Sequence, residues 1–78
     1  MFTKKLSECV AGEEGVIIEV LLPIEVRQRV MEMGFVKGTR VKFIRRAPLG
    51  DPIEVRLMNH HLMIRCTEAQ YIFVLFEN

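Results

Sequence analysis

The chain has few of the residues on which small catalytic sites depend. It contains no tryptophan, one tyrosine, two histidines and two cysteines, and Ser7 is its only serine. A nucleophile needs a neighbouring base that a third group orients, and the sequence offers no such arrangement. The shortage of Trp and Tyr also argues against the aromatic groove with which some small domains bind proline-rich peptides. We therefore expect a protein that is not an enzyme.

The chain also lacks an excess of charge of one sign and lacks long apolar runs. It has eleven basic and ten acidic residues, for a net charge of +1 over 78 residues. That balance gives no general indication of nucleic-acid or anionic-membrane binding. No apolar run approaches the roughly 20 residues of a spanning helix, and none at the N-terminus is long enough for a signal peptide. A single cytoplasmic domain over residues 1–78 is the expectation.

Metal and nucleotide motifs are absent as well. Cys9 and Cys66 lie far apart and fit no metal-binding spacing, so we expect unpaired, partly buried thiols. His60 and His61 are adjacent, and neighbours on a strand point to opposite faces, which makes a shared ion difficult. The glycines around residues 34–39 do not form the GxxxxGK[ST] phosphate loop. The sequence thus predicts no metal, cofactor or nucleotide in this chain.

Short runs of β-branched and apolar residues are what the sequence does contain. Strands are predicted over residues 15–22, 39–46, 53–58, 61–66 and 71–77. In the first of them, the inward residues are expected to be Val16, Ile18, Val20 and Leu22. The last is apolar on both sides and should pair with the first. Residues 5–10 and 67–70 are predicted helical turns, and Asn59-His60 a tight turn.

One helix is predicted between the first two strands, and it ends in a two-glycine joint over residues 34–38. Pro23 suits the first helical position. Gly34 follows the last apolar residue, where a left-handed residue caps a helix, and Phe35 then packs back on Val30. Gly38 allows the second turn, which starts the next strand.

The predicted helix has two apolar faces, although one normally suffices in a small domain. Val26, Val30 and Met33 form one stripe at helical spacing, and Ile24 and Met31 fall on the opposite side. Either the N-terminal segment covers this second side or it belongs to a partner surface.

The connection over residues 47–52 should be stiff, because it contains two prolines and a glycine. Pro48, Gly50, Asp51 and Pro52 are expected to shape this loop. Leu49 stands at its tip, and it either contacts a partner or folds back over the end of the sheet.

Taken in order, these pieces resemble the FeoA family, the small cytosolic accessory proteins of bacterial ferrous iron transport. The strongest parts of the resemblance are residues 27–38 and 46–53, followed by 62–65 and 68–69. Methionine stands at Met31 and Met33 where leucine is usual, and Lys37 replaces the common proline before Gly38. Methionine nearly conserves the volume of leucine, so the expected fold does not change.

The resemblance implies a small SH3-like barrel of about five strands, with one helix between the first two. It also implies binding to the cytoplasmic part of the FeoB transporter, whose GTP-binding domain lies next to the membrane. The protein would then be peripheral to the inner membrane through that partner. Ile24, Met31 and Leu49 are the candidate contacts, and the same apolar faces could close a homodimer.

A second hypothesis uses the outward basic residues of the predicted strands. These are Arg40, Lys42, Arg45, Arg46, Arg56 and Arg65. If they share one face, the protein would be an RNA-binding or acidic-partner-binding module, and its binding would weaken steeply with salt.

Overall fold

The computed structural model describes residues 2–76 of the chain. Within this range the strands are β1 (Phe2–Lys5), β2 (Glu14–Val20), β3 (Arg40–Arg46), β4 (Ile53–Leu57), β5 (His60–Ile64) and β6 (Ile72–Phe76). They form one antiparallel sheet in the order β1-β6-β2-β3-β4-β5. Helix α1 (Ile24–Glu32) lies between β2 and β3, and helix α2 (Cys66–Ala69) between β5 and β6. No helix in this range is both long and apolar enough to cross a membrane.

Strand β1 was not predicted. It pairs with β6 from Phe2 opposite Phe76 to Lys5 opposite Phe73. The helical turn predicted within residues 5–10 is present as a 3₁₀ turn at Leu6–Glu8. The predicted pairing of the last strand with the 15–22 strand is confirmed, because β6 also pairs with β2. Glu77, the expected end of the last strand, lies outside the described residues.

The predicted inward face of β2 is wrong. Ile17 is completely buried, whereas Val16, Ile18 and Val20 are only half-buried, and Leu22 alone matches the expectation. The buried face includes Gly15, where a Cβ would lie 2.4 Å from the Leu75 carbonyl oxygen. A β-bulge between Ile17 and Glu19 then interrupts the alternation. Because β2 is apolar on both faces, its sequence could not show which face is buried.

Strands β3 and β4 are oriented as predicted. Val41 and Phe43 of β3 and Ile53, Val55 and Leu57 of β4 are all buried. The following turn consists of Met58 and Asn59, because Leu57 pairs with His60. The turn predicted at Asn59-His60 is therefore displaced by one residue, and His60 begins β5.

Helix α1 ends as the sequence predicts. Gly34 has a φ of +115° and donates its N–H to the carbonyl of Met31 at 3.0 Å. The Phe35 N–H reaches the carbonyl of Val30 at 3.3 Å, which completes a Schellman motif. Both Phe35 and Val30 are completely buried. At its start the helix begins at Ile24, one residue later than expected.

Candidate docking surface

Helix α1 buries one face and leaves the other exposed. Val30 is buried and Val26 packs against the core, whereas Ile24 is 64% exposed and Met31 41% exposed. The N-terminal segment does not cover this second face, because residues 2–5 are used as β1 on the far side of β6. The structure therefore contradicts the expectation that the second face is covered.

Two adjoining grooves lie along the exposed face. A groove of about 490 Å³ is lined by Ile24, Arg27, Gln28, Met31, Glu32 and Val36. A second of about 420 Å³ is lined by Ile18, Glu19, Val20, Leu21, Arg27, Met31 and Lys37. Arg27 and Met31 line both grooves, so the two are continuous. We call these residues together the α1 surface.

The two-glycine joint fixes the shape of this surface. Gly34 caps the helix at the Met31 carbonyl, and the Val36 N–H donates to the Gly34 carbonyl at 2.9 Å. Gly38, with a φ of +95°, donates its N–H to the Ile17 carbonyl at 2.7 Å. The joint thus places Met31 and Val36 on the same groove and attaches the loop to β2.

The charges of the α1 surface are balanced around an apolar centre. Arg27 and Lys37 are basic, and Glu19 and Glu32 are acidic. An apolar centre within a charged rim is the usual anatomy of a protein interface. Charges of both signs on a rim can orient a partner without favouring nucleic acid or an anionic membrane.

Leu49 is 97% exposed at the tip of its loop, so it does not fold back over the sheet. The loop is well formed. Ala47 donates its N–H to the Pro52 carbonyl at 2.9 Å, and Asp51 accepts the Cys66 N–H at 3.0 Å. Leu49 lines neither groove of the α1 surface. The structure thus brings Ile24 and Met31 together but leaves Leu49 separate.

The predicted basic face is divided into paired and unpaired parts. Arg45 forms an ion pair with Glu54 at 2.9 Å. Arg46 turns towards the N-terminal segment, where it donates to the Cys9 carbonyl at 3.2 Å. Arg65 lies beyond the end of β5. The remaining cations are Arg40, Lys42 and Arg56. Together with Glu14 and Met58 they line a groove of about 260 Å³.

His61 has a carboxylate neighbour that the sequence did not reveal. Its Nδ1 lies 3.0 Å from Oε2 of Glu54, a diagonal neighbour on β4, because His61 itself is paired with Arg56. The hydrogen bond from Arg45, followed by that from His61, lowers the pKa of Glu54. This cluster therefore favours an ionised Glu54. Within residues 2–76 no three His, Cys, Asp or Glu side chains are grouped to hold a metal ion.

Both cysteines are unpaired thiols, as predicted. Burial, reinforced by the charge of Glu13, raises the pKa of Cys9 to about 11. Burial also raises the pKa of Cys66, with a further contribution from Asp51. A reactive cysteine needs a lowered pKa, so neither thiol is placed for nucleophilic chemistry.

Comparison with known proteins identifies the family. The model of the FeoA domain matches residues 4–75. The chain is 37% identical over 70 residues to an Fe(2+) transport protein A/Fe(2+) transporter FeoB fusion protein of Porphyromonas gingivalis. That match covers 90% of this chain but 8% of the fusion protein, so the chain spans a small part of its relative.

Solved structures agree with this match. The FeoA protein of Chlorobium tepidum is 41% identical, with a TM-score of 0.84 over 92% of this chain and 70% of that one. A zinc complex of Stenotrophomonas maltophilia FeoA, described as an SH3 domain protein, is 29% identical, with a TM-score of 0.75 over 95% and 89% of the two chains. The predicted small SH3-like fold is confirmed, with six strands in residues 2–76 instead of about five. The predicted closure into a barrel is not observed in this range, because β1 and β5 are the two edges of an open sheet. The chain belongs to the FeoA domain family.

Proposed function

We propose that this protein is a non-enzymatic accessory that binds the cytoplasmic part of a FeoB-type transporter through its α1 surface and supports the transporter's assembly or activity. The observation that carries the proposal is the uncovered apolar face of α1, at Ile24 and Met31. The domain is joined to a FeoB transporter in the Porphyromonas gingivalis relative. In a fused chain the two parts stay close together, so their effective concentration is high. Even a weak contact between the FeoA domain and the transporter would then be populated.

The expected occupant of the α1 surface is an amphipathic helix of the transporter's cytoplasmic part. Apolar grooves of this kind receive such helices through side chains spaced by one turn. Burying the exposed apolar area of Ile24 and Met31 would contribute about 25 cal/mol for each Å² removed from water. In this proposal the protein is cytoplasmic, it reaches the inner membrane only through its partner, and any GTP is bound by that partner.

Leu49 is proposed as a second, separate contact. Its side chain is exposed on a loop held by the Ala47–Pro52 hydrogen bond. Because the backbone of this loop is already ordered, binding would cost little further backbone entropy. Leu49 would therefore add affinity without a large ordering cost.

The test is a binding titration of the full chain against the intact transporter and against its soluble GTPase domain, with GDP and with a GTP analogue. We expect Met31→Glu to weaken binding at least about tenfold, because it places a charge in the apolar centre. Met31 is 41% exposed, so the fold should persist. Met63→Glu is the matched control, since Met63 is also exposed but lies on β5 and lines neither groove. Because the new carboxylate would stand opposite Glu54, the melting temperatures of both variants are measured beside their affinities.

Four outcomes would contradict parts of this proposal. If the parent protein binds neither form in any nucleotide state, the accessory function is wrong. Equal losses in Met31→Glu and Met63→Glu would remove the α1 surface from the contact. A homodimer that Met31→Glu dissociates in sedimentation experiments would show that a second copy occupies the surface instead. Unchanged binding of a folded Leu49→Asp variant would show that Leu49 is not a contact and would leave the rest of the proposal intact.

A further inference from the structure

A like-charge pair lies on the outer face of the sheet, between β3 and β4. Lys42 of β3 is directly opposite Arg56 of β4, and directly opposed like charges destabilise a sheet. Arg40 lies two residues before Lys42 on the same face. Among the ion pairs of residues 2–76, none involves these three side chains. We call the groove that they line with Glu14 and Met58 the basic groove.

The neighbouring carboxylates leave the basic groove with an excess of positive charge. Glu54 is engaged by Arg45 at 2.9 Å and by His61 at 3.0 Å. Glu14, opposite Lys42 on β2, is the one acidic residue of the lining. The lining of this groove of about 260 Å³ therefore contains three cations and one carboxylate. An anionic ligand would relieve the repulsion between Lys42 and Arg56.

We propose that the basic groove binds the carboxylate side chains of an extended, acidic protein segment. Same-face residues of a strand are about 7 Å apart, so Arg40 and Lys42 match carboxylates at alternate positions of an extended peptide. Arg56 lies across from Lys42 and can form a bidentate pair with one of them. Met58 is 73% exposed at the groove wall, where it can contact the methylene groups of glutamate. This site is separate from the α1 surface.

Nucleic acid fits the basic groove less well. No aromatic side chain lines it, whereas single strands are held largely by stacking of bases on aromatic rings. Duplex binding needs a broad basic footprint, and the chain has a net charge of only +1. A small cationic groove therefore favours one or two carboxylates over a run of phosphates.

The test is a fluorescence-anisotropy titration of the full chain at low salt with a labelled peptide in which Glu alternates with Thr. Arg56→Gln should weaken binding about tenfold, and Lys42→Gln similarly. The melting temperature of Arg56→Gln without peptide should stay constant or rise, because the repulsion is removed. Arg65→Gln, an exposed arginine outside the basic groove, should bind like the parent.

Other outcomes would overturn the inference. Equal weakening by Arg56→Gln and Arg65→Gln would indicate non-specific attraction between charges. Tighter binding of a single-stranded RNA of equal charge, with the same dependence on Arg56, would assign the groove to nucleic acid. A lower melting temperature of Arg56→Gln would show that Lys42 and Arg56 do not repel each other. Met31→Glu changes the α1 surface but not the basic groove, so it must still bind the peptide. This test can therefore fail or succeed independently of the proposed function.

Discussion

Gly34 determines how α1 joins the sheet, and its substitution gives the clearest prediction at the scale of one residue. Its φ of +115° disfavours any side chain, and a Cβ there would lie 3.3 Å from Leu57 Cδ1. We expect Gly34→Val to lower the free energy of unfolding by at least about 1 kcal/mol, the minimum cost of a left-handed conformation. Urea denaturation monitored by circular dichroism measures the change.

The matched control for this prediction is Gly38→Val. Gly38 also has a positive φ, but a Cβ there meets nothing within 4 Å. It should therefore lose less stability than Gly34→Val, and the difference reports the contact with Leu57. Equal stability of Gly34→Val and the parent would show that the cap does not stabilise the helix.

Single residues also show what the sequence could and could not predict. The role of Gly34 could be predicted, because a glycine directly after a helical apolar pattern indicates a helix cap. The burial of Ile17 could not be predicted, since β2 is apolar on both faces and the bulge beside Ile17 depends on pairing with β6. The Glu54–His61 contact at 3.0 Å follows from strand register, which the displaced Met58-Asn59 turn sets.

At the scale of elements, Arg46 ties the N-terminal segment to the rest of the fold. Its guanidinium donates to the carbonyls of Ser7 and Cys9 and lies 5.2 Å from the centre of the Phe43 ring. It also contacts the sulfur of Cys66 on α2 at 3.9 Å. One side chain of β3 thus joins the 3₁₀ turn to α2.

We expect Arg46→Met to lower the free energy of unfolding by about 1 to 2 kcal/mol, because hydrogen bonds from a charged donor are lost. Amide hydrogen exchange should become faster in β1 and the 3₁₀ turn. Arg45→Met is the control, since it removes an ion pair whose arginine is largely exposed, and such pairs contribute little. Unchanged exchange in β1 would mean that pairing with β6 alone holds the segment.

Elements with a strong local pattern were predictable, and those that depend on tertiary pairing were not. Helix α1 and strands β3 and β4 have clear periodicity and burial on one face. Strand β1 has exposed or half-exposed residues throughout, so only its partner β6 makes it a strand. For the same reason the exposure of Ile24 and Met31 could not be settled from the sequence, because it depends on where the N-terminal segment lies.

At the scale of the whole molecule, two carboxylates that join different parts of the fold make its stability depend on pH. Glu13 accepts the Val10 N–H at 2.8 Å and pairs with Lys4 of β1 at 2.9 Å. The bond from Val10, followed by that from Lys4, lowers the pKa of Glu13. Glu54 joins β3, β4 and β5 in a similar way through Arg45 and His61, and its pKa is lowered too.

These lowered pKa values set the direction of the acid response. The unfolded chain binds protons to Glu13 and Glu54 at higher pH than the folded chain does, so their stabilisation is present above the ordinary pKa of 4.5 and is lost as the pH falls through the native values. The free energy of unfolding should therefore decrease below pH 4.5. Urea denaturation at a series of pH values should show a shallower decrease for the double variant Glu13→Gln/Glu54→Gln, and an unchanged slope would mean that other groups control acid unfolding.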